Sequence, residues 1–150
     1  MHTRRDLGKL AVAWLPAAAL ARGNSKVRGV MIGAQSYSFR DRSLEDAIKA
    51  MNEIGLSYME LWQGHVEPRG SREEVRKWRL SVPMEDIRKI RARLDAAGIH
   101  LYAYNYSFRD DFSDAEIERG FEFAHALGVK YLTASGTVSV AKRISPFAEK

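Results

Sequence analysis

Cysteine is absent from the 150-residue chain. No disulfide framework, thiolate nucleophile or thiolate metal site is therefore available to it. Strong charge of one sign is also lacking: 24 Lys and Arg stand against 19 Asp and Glu, a net +5. Setting aside Arg4, Arg5, Lys9 and Asp6 in the first 21 residues leaves 21 against 18, or +3. So mild a balance gives no ground for a nucleic-acid partner. No apolar run is long enough to span a bilayer comfortably, and no stable membrane span is expected. No G-x-G phosphate loop follows the first strand-like run, "VMIGAQS". What is present is globular: 45% of residues are hydrophobic and 29% charged. The length suits one modest domain.

The opening segment "MHTRRDLGKLAVAWLPAAALA" has the three parts of an export signal. Its basic residues precede an apolar stretch over residues 10–21, which ends in the small-x-small pattern Ala19-Leu20-Ala21. The adjacent arginines in "TRRDLGK" resemble a twin-arginine signal, with Leu7 in the hydrophobic place and Gly8 where leucine is commoner. The reading divides the chain into a signal peptide over 1–21, a linker over 22–28 and a domain over 29–150. It predicts a periplasmic or secreted address for a protein exported already folded. The alternative is an ordinary amphipathic helix at the N-terminus of the domain.

Beyond the leader, apolar runs of strand length alternate with amphipathic runs of helical length. Residues 30–36 read as a buried strand. "SLEDAIKAMNEIG" follows as a helix with Ser43 as N-cap and Gly55 as terminator. "LSYMELWQG" is a second strand, followed by the long polar segment "HVEPRGSREEVRKWRLS". "VPMEDIRKIRARLDAAG" is a second helix, with Ile87, Ile90 and Leu94 on one face. "IHLYAYNYSF" is a third strand and "SDAEIERGFEFAHALG" a third helix, with a capping box at Ser113 and Glu116. "VKYLTASGT" is a fourth strand, and "VSVAKRISPFAEK" begins another helical or loop segment. "IGLSY", "AGIHL" and "LGVKY" repeat one helix-to-strand turn. The pentapeptide "YSFRD" also occurs twice, at residues 37–41 and 106–110, each time where a strand ends. Both copies are equivalent corners two βα units apart.

Strict alternation with short connections calls for a parallel sheet with right-handed crossovers. Four βα units suit the first half of a (β/α)8 barrel, whose whole needs about 250 residues. A small doubly wound sheet is the alternative, disfavoured by the missing glycine loop and by polar and aromatic strand ends. A four-unit piece leaves two parallel edges unpaired. The reading is therefore an α/β chain, apparently truncated, that is completed by a missing C-terminal half or by pairing with another copy.

"GVMIGAQSYSFRDRSLEDAIKAMNEIGLSYMELWQGH" and "AAGIHLYAYNYSF…GFEFAHALGVKYLTASG" resemble the N-terminal half of the xylose isomerase-like TIM-barrel family, which includes sugar-phosphate isomerases and epimerases. Gln35 to Phe39 on the first strand, Met59-Glu60-Leu61-Trp62 on the second and "GVKYLTASG" on the fourth carry the likeness. The resemblance implies proton transfer next to a carbonyl of a sugar, sugar phosphate or keto-sugar, assisted by a divalent metal such as Mn, Mg, Co or Zn. Relatives hold that metal through two glutamates, an aspartate and a histidine on later strands. None of those positions lies in this sequence, so the chain alone is not expected to hold the metal. A lyase or dehydratase on the same fold, or a non-catalytic carbohydrate-binding or inactive half-barrel, are the rival readings. DNA-repair endonucleases share a related barrel, but an export signal does not suit that role.

The expected substrate contacts are Gln35, Tyr37, Glu60, Trp62, His65, Tyr104 and Ser135. Glu60 lies within an apolar strand, where a charge needs a partner. It serves a sugar hydroxyl, a metal ligand that it holds in place, or a structural ion pair with a neighbouring base. Tyr102, Tyr104, Tyr106 and Phe108 alternate along the third strand and so are placed on one face. Tyr37, Tyr106 and Trp62 are expected at the sugar-facing rim, and Tyr102 beneath the outer helices. His65 with Glu67 is an acid–base pair, a weak metal site or part of a surface loop. His100 and His125 read as structural. The basic runs "RGSREEVRKWR" and "RKIRAR" read as a solvated helix face and loop, with attraction of a phosphate or anionic polymer, or a lid over the pocket, as alternatives.

Overall fold

Three serines start three of the helices by the same device, and only two of them are expected. In the computed structural model, which describes residues 24–149, Ser43 caps α1 (Leu44–Glu53) by accepting from the Asp46 amide. Ser113 and Glu116 close a full capping box on α4 (Asp114–Ala126). The third is Ser71, which forms a box with Glu74 and starts α2 (Arg72–Ser81) inside the segment read as polar and irregular. α3 (Met84–Ala96) buries Ile87, Ile90 and Leu94 as its spacing requires. α5 (Val138–Ala148) is capped by Thr137 and contains Pro146. The expected signal segment over 1–21 lies outside the described residues.

The repeated helix-to-strand turn has one geometry. Gly55, Gly98 and Gly128 adopt φ of +76°, +74° and +65°. The next amide then reaches back across the helix end: Leu56 to Met51, Ile99 to Leu94 and Val129 to Ala124, at 2.9, 2.9 and 3.1 Å. This is the Schellman closure, and glycine supplies its left-handed residue.

Each closure delivers the chain to a strand. β1 (Lys26–Val27) and β2 (Val30–Met31) form an antiparallel hairpin. Its first strand occupies part of the expected linker. β3 (Gly33–Gln35), β4 (Tyr58–Trp62), β5 (His100–Asn105) and β6 (Tyr131–Thr133) pair in parallel and in sequence order. The single strand expected over 30–36 is thus divided into a hairpin arm and a sheet strand, and Ser36 already opens a 3-10 turn, Ser36–Phe39. The order contains no reversal, whereas a doubly wound sheet turns back at a switch point.

One face of the sheet is covered. Ala34, Met59, Leu61, Leu101, Tyr104 and Leu132 join Ile48, Met51, Ile87, Leu94, Ile117 and Phe123 of the helices in one core. The register explains which residues face away. Met59 is opposite Leu101, but Glu60 is opposite Ala103, so Tyr102 is an extra residue in β5. Such a bulge resets the alternation. Tyr102 therefore emerges on the uncovered face, 49% exposed, while Tyr104 and Tyr106 are fully buried beneath the helices. The single aromatic face expected of the third strand is split by this one residue.

Arg79, placed by its sequence neighbours in a solvated run, is 7% exposed. Its Nε and Nη2 donate to the two oxygens of Glu67 at 2.6 and 2.8 Å, and Nη1 donates to Glu116 at 3.3 Å. The guanidinium lies 4.4 Å from the Phe112 ring centroid. α2 has few apolar residues, so this buried bidentate pair supplies what its face lacks.

Candidate functional site on the open face of the sheet

The uncovered face presents side chains two residues apart on each strand, and parallel register lines them up across strands. Gln35 is opposite Glu60, and Trp62 is level with Asn105 and Thr133. A polar chain results. Gln35 Nε2 donates to Glu60 Oε1 at 2.8 Å, and the Thr133 hydroxyl donates to the same oxygen. Asn105 Nδ2 in turn donates to Thr133 Oγ1 at 3.1 Å. Glu60 has no ion pair among the described residues, so its charge is carried by an amide and a hydroxyl rather than by the base anticipated for a structural pair. Both bonds fall on Oε1. Oε2 carries no hydrogen bond among the described residues, which leaves a fixed carboxylate oxygen free to accept.

Beside Glu60 is a cavity of about 530 Å³, lined by Gln35 and Glu60 together with Tyr58, Tyr102 and the hairpin residue Met31. That volume lies within the usual range for small-molecule sites. Tyr102 is paired with Tyr131 at 5.1 Å between centroids, and Tyr58 with His100 at the same spacing. Aromatic rings thus flank the polar chain.

A second group stands at the C-terminal rim. Trp62 meets Tyr37 edge-on at 5.0 Å and His65 at 5.4 Å. Its indole lies directly over Gly64, where any Cβ would overlap the ring. Both His65 nitrogens are shut off from solvent and complete no hydrogen bond among the described residues. Burial lowers the pKa of His65 below its ordinary 6.5, an effect partly countered by the nearby backbone of Arg42 and Phe39. Glu67 is not its acid–base partner, because both carboxylate oxygens are engaged by Arg79. The unfolded imidazole takes up its proton near pH 6.5, and the folded one only at lower pH. The unfolded state therefore binds more protons in that window, and stability falls as pH drops through it. Urea midpoints should accordingly decline from pH 7 to pH 5 more steeply in the native protein than in His65→Phe. Equal slopes would mean that His65 is not held neutral.

The structure brings Gln35 and Glu60 into one cavity, and Tyr37, Trp62 and His65 into the neighbouring rim. It does not bring Tyr104 to them. That side chain is fully buried on the covered face, its hydroxyl without a hydrogen-bond partner among the described residues, because the bulge at Tyr102 turned it inward. Tyr106, expected at the rim, is also buried, and its hydroxyl donates to the Glu116 carbonyl at 3.1 Å. Ser135 is exposed in the loop after β6 and lines a separate depression with Ser107 and Asp110. Asn105 and Thr133 are functional candidates that the sequence reading passed over. Each is a polar residue inside an otherwise apolar strand, the same signal that marked Glu60.

No protein-family model matches the chain, and no curated protein matches it. Among solved structures, the crystal structure of an uncharacterized protein from Parabacteroides distasonis is similar, with a TM-score of 0.58 at 18% identity. The match covers 78% of this chain and 48% of that one, so the chain spans about half the length of its neighbour. At that identity the likeness is one of fold: an α/β architecture with a four-stranded parallel sheet and, among the described residues, five helices.

Proposed function

We propose that the open face is the inner wall of the first four βα units of a xylose isomerase-like (β/α)8 barrel, and that it binds a sugar or sugar derivative. The observation that carries this reading is the Gln35–Glu60–Thr133–Asn105 chain, set among aromatic rings on the face of a sequentially ordered parallel sheet that the described helices leave uncovered. Barrel enzymes place inward-facing polar residues near the C-terminal ends of such strands. Glu60 Oε2 would accept from a ring hydroxyl, and Tyr102 and Trp62 would meet the apolar C–H faces of the sugar. In a complete barrel, Glu60 is also the carboxylate of this chain best placed to hold or move a proton beside a carbonyl, the step shared by isomerases and epimerases.

A divalent metal belongs to this reading only through the remainder of a barrel. Among the described residues no three His, Asp or Glu side chains converge, and Glu60 is surrounded by an amide and a hydroxyl, so no step is assigned to a metal here. Export is proposed on the leader sequence alone. No helix among the described residues is long and apolar enough to cross a membrane.

Glu60→Gln tests the site. A charged hydrogen bond contributes about 1.5–3 kcal/mol, so the affinity for the best of a panel of aldoses and ketoses should fall roughly tenfold or more. The fold should be unchanged, because glutamine still accepts at the position of Oε1. Sugar affinity equal to that of the native protein would remove Glu60 from the site.

A further inference from the structure

A second cleft, of about 460 Å³, lies away from the open face, between α2 and the loop that follows β5. Three guanidiniums reach it from two directions: Arg72 and Arg76, one turn apart on α2, and Arg109 from the loop. Their side chains remain 79%, 51% and 49% exposed. Asp111 is shared between two of them, with Oδ1 accepting from Arg109 Nε at 3.0 Å and Oδ2 lying 3.4 Å from Arg72 Nη1. Arg76 meets Glu116 only through Nε, at 3.3 Å. The terminal nitrogens of Arg76 and Arg109 carry no hydrogen bond among the described residues.

The other carboxylates of the cleft are already committed. Glu67 is engaged through both oxygens by Arg79. Glu116 accepts from Arg79 and from the Ser113 amide and hydroxyl. Glu73 pairs with Lys77 at 2.9 Å. At the opening, then, one aspartate answers two guanidiniums while a third offers its unused fork. Guanidinium forks match tetrahedral oxyanions in a bidentate manner, and three converging forks suit a dianion better than a single carboxylate.

We propose that this cleft binds a phosphate group, free or as the monoester of a small polyol, with Arg72, Arg76 and Arg109 as its ligands and Asp111 as the resident anion with which the phosphate competes. The site does not depend on the sugar reading of the open face. It gives the basic segment of α2 a role other than solvation.

Isothermal titration with inorganic phosphate and with glycerol 3-phosphate, at ionic strength matched by chloride, tests the site. One saturable site is expected, weakened at least tenfold in Arg72→Gln/Arg109→Gln. Asp111→Asn should tighten binding severalfold, because it removes the competing anion. Tighter binding of the monoester would assign a phosphorylated small molecule, and equal binding would assign free phosphate; both support the site. Absence of saturable binding, undiminished binding in the double variant or weaker binding in Asp111→Asn would overturn it. Should the double variant not fold, the native protein gives the same decision. Phosphate must shift the Nε–Hε resonances of Arg72, Arg76 and Arg109 while leaving buried Arg79 in place, and unshifted resonances refute the proposal.

Discussion

Alanine at position 79 is expected to lower the unfolding free energy by about 3–5 kcal/mol, the usual loss when one partner of a buried ion pair is removed. Arg79 is the cation for two carboxylates, and the side chains of Glu67 and Glu116 are themselves 7% and 3% exposed. Removal leaves Glu67 buried without a cation and Glu116 with only the half-exposed Arg76, at 3.3 Å. Burial disfavours the charge of Arg79, but the hydrogen bonds to Glu67 and the nearby Tyr106 and Glu116 more than compensate, so the guanidinium is held strongly protonated. Arg79→Lys should recover only part of the loss, since an ammonium cannot reproduce the fork that grips Glu67 through two nitrogens. The double variant Arg79→Ala/Glu67→Ala should be less damaged than the sum of its single changes, because one orphaned charge disappears with its partner. Urea midpoints decide the matter. A cost for Arg79→Ala near 1 kcal/mol, the level of an exposed pair, would show that the pair is hydrated.

The two copies of "YSFRD" provide the second large contrast. Tyr106→Ala should cost about 3–5 kcal/mol, as truncation of a buried aromatic does, while Tyr37→Ala should cost about 1 kcal/mol or less, the scale of one exposed aromatic pair. The same residue in the same pentapeptide is 0% exposed in one copy and 44% in the other. Tyr106 touches α4 so closely that a Cβ on Gly120 would come within 2.5 Å of its ring, and its hydroxyl is bonded to the Glu116 carbonyl. Tyr37 lies in a 3-10 turn, with Arg40 4.6 Å above its ring and Trp62 at its edge. Equal thermal shifts in the two variants would mean that the repeat plays one role twice.

That contrast also marks how far sequence reasoning reaches. The helix ends were legible because serine caps and left-handed glycines act locally: Ser43, Ser113, Gly55, Gly98 and Gly128 all behave as their neighbours dictate. The order of strands followed from the alternation of periods. Two things were hidden. One is the bulge at Tyr102, which comes from pairing with β4 and leaves no mark in β5 alone; it moved Tyr104 and Tyr106 from the expected ligand face to the core. The other is α2, whose buried face depends on an arginine. An apolar period cannot reveal such a helix, although the capping box of Ser71 and Glu74 was visible in the sequence. Of the site, Glu60 stood out as a charge in an apolar strand, and Gln35 through the family resemblance. Asn105 and Thr133 are likewise polar residues in apolar strands, but only the sheet register shows that they join Glu60.

The central claim is that a sugar lies on the open face against Glu60. The direct measurement is the change in backbone and side-chain amide resonances when an aldose and its matching ketose are added to the labelled protein. The account predicts saturable shifts at Gln35, Glu60, Tyr102, Asn105 and Thr133, with the rim at Trp62 following, and none at Tyr104 or on the outer helices. Shifts confined to residues away from this face, or none at any of these five residues, would contradict it.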